Sequence, residues 1–268
     1  MAVLYEPHAG QEISIRLGRM VGQGAVSLWA GYASSSAAFS MADIRLSTGL
    51  APTTVDTDIA AFHAAPGWSA NFDRSGRMGD KMIGRAEMTG GLNATADPPE
   101  GEGRVPGRIE MTFESLHRPV LVRPGRMEVF GLGCGRVVLP DGDFEISGYA
   151  KWHEQVGDRA RFAPAFTYMA ISRSDVALLA ISRGDAATGF ALEGGKTTPV
   201  AAIKFSDPTP QRRFEASLTD GRTIRGVTNT IRMSSEPIEG KRRPGATVIA
   251  ETDLGRMVGQ VNDWRPED

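Results

Sequence analysis

Six side chains able to hold, move or polarise a proton crowd one short stretch of this chain. In SGYAKWHEQVGDRARFAPAFTYMAIS (147–172), Tyr149, Lys151, Trp152, His153, Glu154 and Gln155 fill six of seven consecutive positions. Such density inside an alternating run is costly unless the groups are hydrogen-bonded or face a cavity. The chemistry it offers is general acid–base proton transfer, with amide and hydroxyl groups to bind a carbonyl or alcohol.

Strand geometry divides the set. Counting by twos from Phe144 and Ile146 puts Gly148, Ala150, Trp152, Glu154 and Val156 on one face. Glu145, Ser147, Tyr149, Lys151, His153 and Gln155 take the other. Beside Trp152, desolvation would raise the Glu154 carboxyl toward a useful general acid. On a regular strand His153 and Glu154 point apart, and only a bulge would bring both to one cavity. A plain alternative is a polar outer face with one buried glutamate paired to an arginine. The following hairpin supplies walls: Phe166 and Tyr168 fall on one face, Met169 and Ile171 on the other. In TIRGVTNTIRM (223–233), Asn229 shares parity with Val227, Ile231 and Met233, as a cavity donor or a core amide bonded to backbone.

The elements that position these residues read as strands. Period-two runs dominate: EISIRLGR, RIEMTFESL, DFEISGYAKW, VALLAIS and TIRGVTNTIRM, with turn chemistry at PDGD, SRGD, EGGK and TDGR between them. DTDIAAFHAA (56–65) is the one candidate for a short helix. The heptapeptide LGRMVGQ occurs at 17–23 and 254–260, without similarity in the flanks. It reads as recurrent turn-to-strand chemistry, each GRM triplet entering a strand from a turn or bulge. Some fifteen candidate strands exceed one small barrel, so two packed barrels or sandwiches are expected, divided at 1–141 and 142–268.

Bulk properties narrow the partners. The chain has 268 residues, a net charge of −2, 41% apolar and 23% charged residues, which gives no electrostatic reason for nucleic acid or anionic membrane. GKRRPG (240–245) reads as a solvated basic turn. With one cysteine, Cys134, no internal disulfide forms, and a cytoplasmic location is expected. MAVLYEPHAGQEIS lacks the basic-then-apolar form of a secretory signal. No apolar window reaches the roughly 18 residues that span a bilayer. GLGCGR (131–136) lacks the spacing of a phosphate loop and reads as a glycine-rich strand or bulge. His8, His63, His117 and His153 lack metal-ligand spacing; a metal enzyme would require at least two of His63, His117 and His153 to converge.

DFEISGYAKWHEQVGDRARFAPAFTYMAI resembles the opening of the second half of the lipocalin-like tandem-barrel proteins. That group includes carotenoid 1,2-hydratase (hydroxyneurosporene synthase) and cyclase-like fungal pericyclases. Its G-x-G-x-x-D-H-x-W-G strand leads into an aromatic hairpin; here Gly148, the pair His153–Glu154 and Gly157 occupy comparable places. Val156 stands where the group has tryptophan, and Trp152 comes earlier. DLGRMVGQVNDW is similar to the group's glycine-rich closing strand. The resemblance implies two lipocalin-like barrels and an apolar pocket for a terpenoid, polyketide or aromatic molecule. It also implies hydration, cyclisation or double-bond shift without a redox cofactor.

The expectation is therefore a cofactor-free lyase or isomerase on a hydrophobic small molecule. His153, Glu154 and Lys151 are its catalytic candidates. Tyr149, Trp152, Gln155, Phe166, Tyr168 and Asn229 are its substrate-binding candidates. The rival is a lipocalin-like carrier whose polar cluster anchors a ligand's head group.

Overall fold

The computed structural model describes residues 2–8, 10–20, 25–34, 38–46, 59–65, 68–75, 81–92, 104–155, 165–238 and 241–265. Among them every regular element is a strand. The first eleven are β1 (Ala2–Tyr5), β2 (Glu12–Met20), β3 (Ala25–Ala33), β4 (Ala38–Leu46), β5 (Ile59–Ala65), β6 (Trp68–Ser75), β7 (Lys81–Leu92), β8 (Arg104–Ser115), β9 (Val120–Arg123), β10 (Arg126–Leu139) and β11 (Gly142–Gln155). They form one antiparallel sheet in the order β4-β3-β2-β1-β11-β10-β8-β7-β6-β5, with β9 paired to β10. β4 also returns to β7 through Phe39–Leu92 and Ser40–Gly91, so the sheet curls toward closure.

The other eight are β12 (Phe166–Arg173), β13 (Val176–Arg183), β14 (Ala186–Glu193), β15 (Lys196–Phe205), β16 (Gln211–Leu218), β17 (Thr223–Ile238), β18 (Lys241–Thr252) and β19 (Gly255–Trp264). They close into a barrel in sequence order, the up-and-down lipocalin-type architecture. The seam pairs Phe166 with Trp264 and runs to Ser172 with Val258.

Local chemistry explains the turns. Gly194 and Gly195 both adopt positive φ, 55° and 78°, the two-residue turn that suits a right-twisted hairpin. Gly184 and Gly221 serve the SRGD and TDGR turns in the same way. In β10, Gly133 leaves room for Leu4 and Ala150, whose carbons would lie 3.1 Å from an added Cβ. GLGCGR is thus strand, with glycines that let opposing aliphatic side chains approach.

Several expectations change. DTDIAAFHAA contains β5 rather than a helix, because Ile59–Asp73 to Ala65–Trp68 pairing with β6 satisfies its backbone. GKRRPG runs into β18 from Lys241 instead of forming a turn. Of the two LGRMVGQ copies, Gly255 enters β19 with φ 97°, whereas Gly18 lies inside β2. The shared heptapeptide therefore occupies different structural positions. Gly76 lies outside the described residues.

Contacts divide the chain into two units that interleave along the sequence. The first takes Met1–Ser115, Gly131–Trp152 and Pro237–Glu239; the second takes Leu116–Phe130, His153–Glu236 and Gly240–Asp268.

Candidate functional site

The barrel's interior is core. One apolar cluster draws members from all eight strands, including Met169, Leu178, Ala191, Val200, Phe214, Ile224, Val248 and Val261. Only the inward faces of a closed barrel can meet in this way; an eight-stranded interior is about wide enough for side chains or one small ligand.

Alternation in β12 assigns the faces. Met169 and Ile171 belong to the interior cluster, so Thr167 shares that side and Phe166, Tyr168 and Ala170 face outward. The outward set is nevertheless buried. The β9–β10 hairpin brings Phe130, Val120 and Val122 onto Tyr168, Leu179, Ile181, Phe190 and Leu192. Phe166 and Tyr168, expected as pocket walls, belong to this outer layer.

Charges concentrate at the edge of the same layer. Arg126 reaches Glu128 Oε1 through Nε at 2.8 Å and Nη2 at 2.5 Å. The Glu128 carboxylate is fully buried, 0% exposed. Arg126 lies 5.3 Å from the Tyr168 ring centroid and is hydrogen-bonded to that side chain. Burial works against the Arg126 charge, but Glu128, then Tyr168, outweigh it and raise the guanidinium above its ordinary value. Arg123 donates from Nη2 to Gln155 Oε1 at 3.2 Å. Arg183 lies 5.6 Å from the Phe166 centroid. Burial, then the neighbouring arginines, push the pKa of Arg123 down, and burial with Arg126 does the same to Arg183. The Nε atoms of Arg123 and Arg183 are buried without a hydrogen-bond partner among the described residues.

A second polar group closes one end of the interior. Asp263 accepts from Thr167 Oγ1 at 2.7 Å and from Arg212 Nη1 at 2.6 Å. Arg212 also donates to the Ser206 carbonyl at 2.9 Å and covers the Phe205 ring. Both Asp263 oxygens are engaged, and the bond to Thr167 ties β19 to β12, so the arrangement reads as a clamp on the seam. A groove of about 610 Å³ on β15–β18 is open and carries paired charges such as Arg225–Glu215, a solvated surface.

The remaining expected residues separate. Lys151 is 1% exposed, and Trp152 packs near Phe113 with centroids 6.5 Å apart, both in the first unit with half-buried Tyr149. His153 and Gln155 belong to the second unit, and His153 is half-buried. Glu154 lies in β11; its side chain is outside the described residues. Asn229 accepts from Gln211 Nε2 at 3.1 Å instead of bonding to backbone, and Ile231 and Met233 on its parity are exposed. The apolar parity of β17 is thus the outer one.

His117 has a structural role. Its Nδ1 pairs with the Arg118 carbonyl at 2.6 Å, and its Nε2 accepts from the Phe130 N–H at 2.8 Å. That pattern fixes the neutral tautomer carrying its proton on Nδ1. Among the described residues no group of three or more His, Cys, Asp or Glu is placed to hold a metal.

Sequence reasoning missed Arg123, Arg126, Glu128 and Arg183. The spacing of Arg126 and Glu128 was a usable signal: opposite charges two apart on a strand share a face and can bury as a pair. Arg183 carries no such signal.

Neither protein-family models nor curated proteins match this chain. Among solved structures, kievitone hydratase from Nectria haematococca aligns with TM-score 0.52 at 8% identity, covering 98% of this chain and 87% of that one. CghA aligns with TM-score 0.49 at 9% identity, covering 98% and 84%. At such identities the likeness is one of fold.

Proposed function

We propose that this protein is a cofactor-independent lyase or isomerase, of hydratase or cyclase type. Its substrate is a hydrophobic small molecule of terpenoid, polyketide or aromatic class. The observation that carries the reading is the Tyr168 side chain held against the buried Arg126–Glu128 pair, with Arg123–Gln155 and Arg183–Phe166 alongside. A phenol beside a guanidinium is suited to give up a proton, since the cation stabilises the phenolate left behind. Glu128 keeps that cation oriented. Gln155 offers an amide to a carbonyl or hydroxyl, and Phe166 an apolar wall. His153 and Glu154, which precede Gln155 on β11, are retained as the partners that accept or return the proton. The fold shared with kievitone hydratase, whose name denotes water addition, supports this choice of reaction class.

The test is turnover in D2O of a panel of terpenoid, polyketide and phenolic alkenes, read by mass spectrometry for added water or incorporated deuterium. Tyr168→Phe should slow a found reaction by about 10²–10⁴-fold, the usual share of one proton-transfer group, at a temperature where circular dichroism shows the variant fully folded. Full activity in Tyr168→Phe, His153→Ala and Glu154→Gln alike would remove the assignment.

A further inference from the structure

Three arginines, Arg123, Arg126 and Arg183, meet at the outer-layer cluster. Among the described residues, Arg126 and Arg183 both lower Arg123, Arg126 lowers Arg183, and Glu128 is the carboxylate that acts on Arg123 and Arg126. Arg126 takes that carboxylate through two donors. Arg123 spends one donor on the neutral Gln155 amide, and Arg183 rests on the Phe166 ring. Among the described residues, each of these two arginines keeps a buried Nε–H without an acceptor. A buried donor left unpaired is destabilising, and like charges held close together add to that. An anion with apolar bulk would remove both penalties. Its oxygens would accept from Arg123 and Arg183, and its hydrocarbon would lie against Phe166 and the Tyr168 ring. Both arginines and Phe166 are half-buried rather than sealed, so the cluster grades from core to surface.

We infer that Arg123 and Arg183 form the recognition site for an anionic oxygen, a carboxylate, enolate or phenolate, on an otherwise apolar ligand. The inference rests on the proposed reading of this site and narrows its substrate class: the ligand carries a negative charge next to the carbon skeleton on which Tyr168 acts. Arg126 is held by Glu128 and serves the phenol; Arg123 and Arg183 serve the ligand.

Two probes separate charge from bulk: 2-naphthoate and its neutral near-isostere 2-naphthamide, titrated calorimetrically into the full chain. The expected result is binding of naphthoate at least about tenfold tighter than the amide, the scale of one charge-assisted hydrogen bond, weakening as salt rises. Arg123→Gln and Arg183→Gln should each erase most of that preference, whereas Arg225→Gln, on the exposed face of β17, should leave it intact. Should either variant fold poorly, the wild-type melting temperature decides, since naphthoate must raise it and naphthamide must not. Equal affinity for the two probes, failure of both to bind, or a preference that survives both arginine variants overturns the inference. Selective anion binding without turnover of any alkene would instead leave the site standing and remove the enzyme assignment.

Discussion

At the scale of single residues, His117 shows how burial fixes a protonation state. It sits between the rings of Phe130 and Phe190, centroids 6.2 and 5.8 Å away, and accepts a backbone N–H at Nε2. Burial pulls its pKa below the ordinary 6.5, and the bond to the Arg118 carbonyl opposes this only in part. The unfolded chain therefore binds a proton that the folded chain refuses. The stabilisation is complete above pH 6.5 and is lost as pH falls through the folded pKa. Urea unfolding should accordingly show a declining midpoint just below pH 6.5, and His117→Ala should flatten that decline. The same variant should lose roughly 1–3 kcal/mol at pH 8, because Phe130 N–H is left without an acceptor. An unchanged acid limb in the variant would place the titration elsewhere. His117 had been considered as one of three converging metal ligands. Isolated histidines in a sequence do not reveal which backbone groups will reach them, and here those groups settle the role.

At the scale of elements, what can be read early is what is local. Alternation identified β2, β8, β11, β13 and β17, and Gly-bearing turns marked their ends, because both arise from neighbouring residues. The segment of β5 misled because IAAFHAA is alanine-rich and its strand character comes from pairing with β6. Parity was legible while sidedness was not. Phe166 and Tyr168 were correctly grouped on one face, yet nothing in β12 alone says that this face is the outer one. That follows from closure with β19, some ninety positions away. Glycine at the seam tests the closure. A Cβ at Gly259 would overlap the Ala170 carbonyl oxygen and come within 2.8 Å of Ile171 Cα. Both obstacles are backbone, which cannot rotate aside. Gly259→Ala should destabilise the barrel by about 1–3 kcal/mol or more, read as a lowered denaturant midpoint. Gly184→Ala, in open space at φ 57°, should cost only the strain of the left-handed backbone, on the order of 1 kcal/mol. Equal losses at the two sites would mean that the seam is not so tightly joined.

At the scale of the molecule, the path of the chain matters more than its length. The second unit borrows Leu116–Phe130 from a region of sequence surrounded by the first, and that loan covers the outward face of β12–β14. A fragment comprising residues 142–268 would retain all eight barrel strands while exposing Leu179, Ile181, Phe190 and Leu192. It should expose enough apolar surface to bind the uncharged dye Nile red more strongly than the intact chain does and to sediment as larger species; a fragment matching the intact chain in both would show that the hairpin is dispensable. The seam carries a further consequence, one of timing. β12 pairs with β13 as soon as both are made, but its other edge waits for β19. A ribosome adds about 5–20 residues per second, so the apolar edge around Met169–Ile171 stays open for roughly 5–20 seconds of synthesis. Through that interval every nascent copy offers the same unpaired strand to its neighbours on a polysome. Slow codons between β13 and β19 would lengthen the hazard without altering a single amino acid, and a chaperone that shields β12 would shorten it.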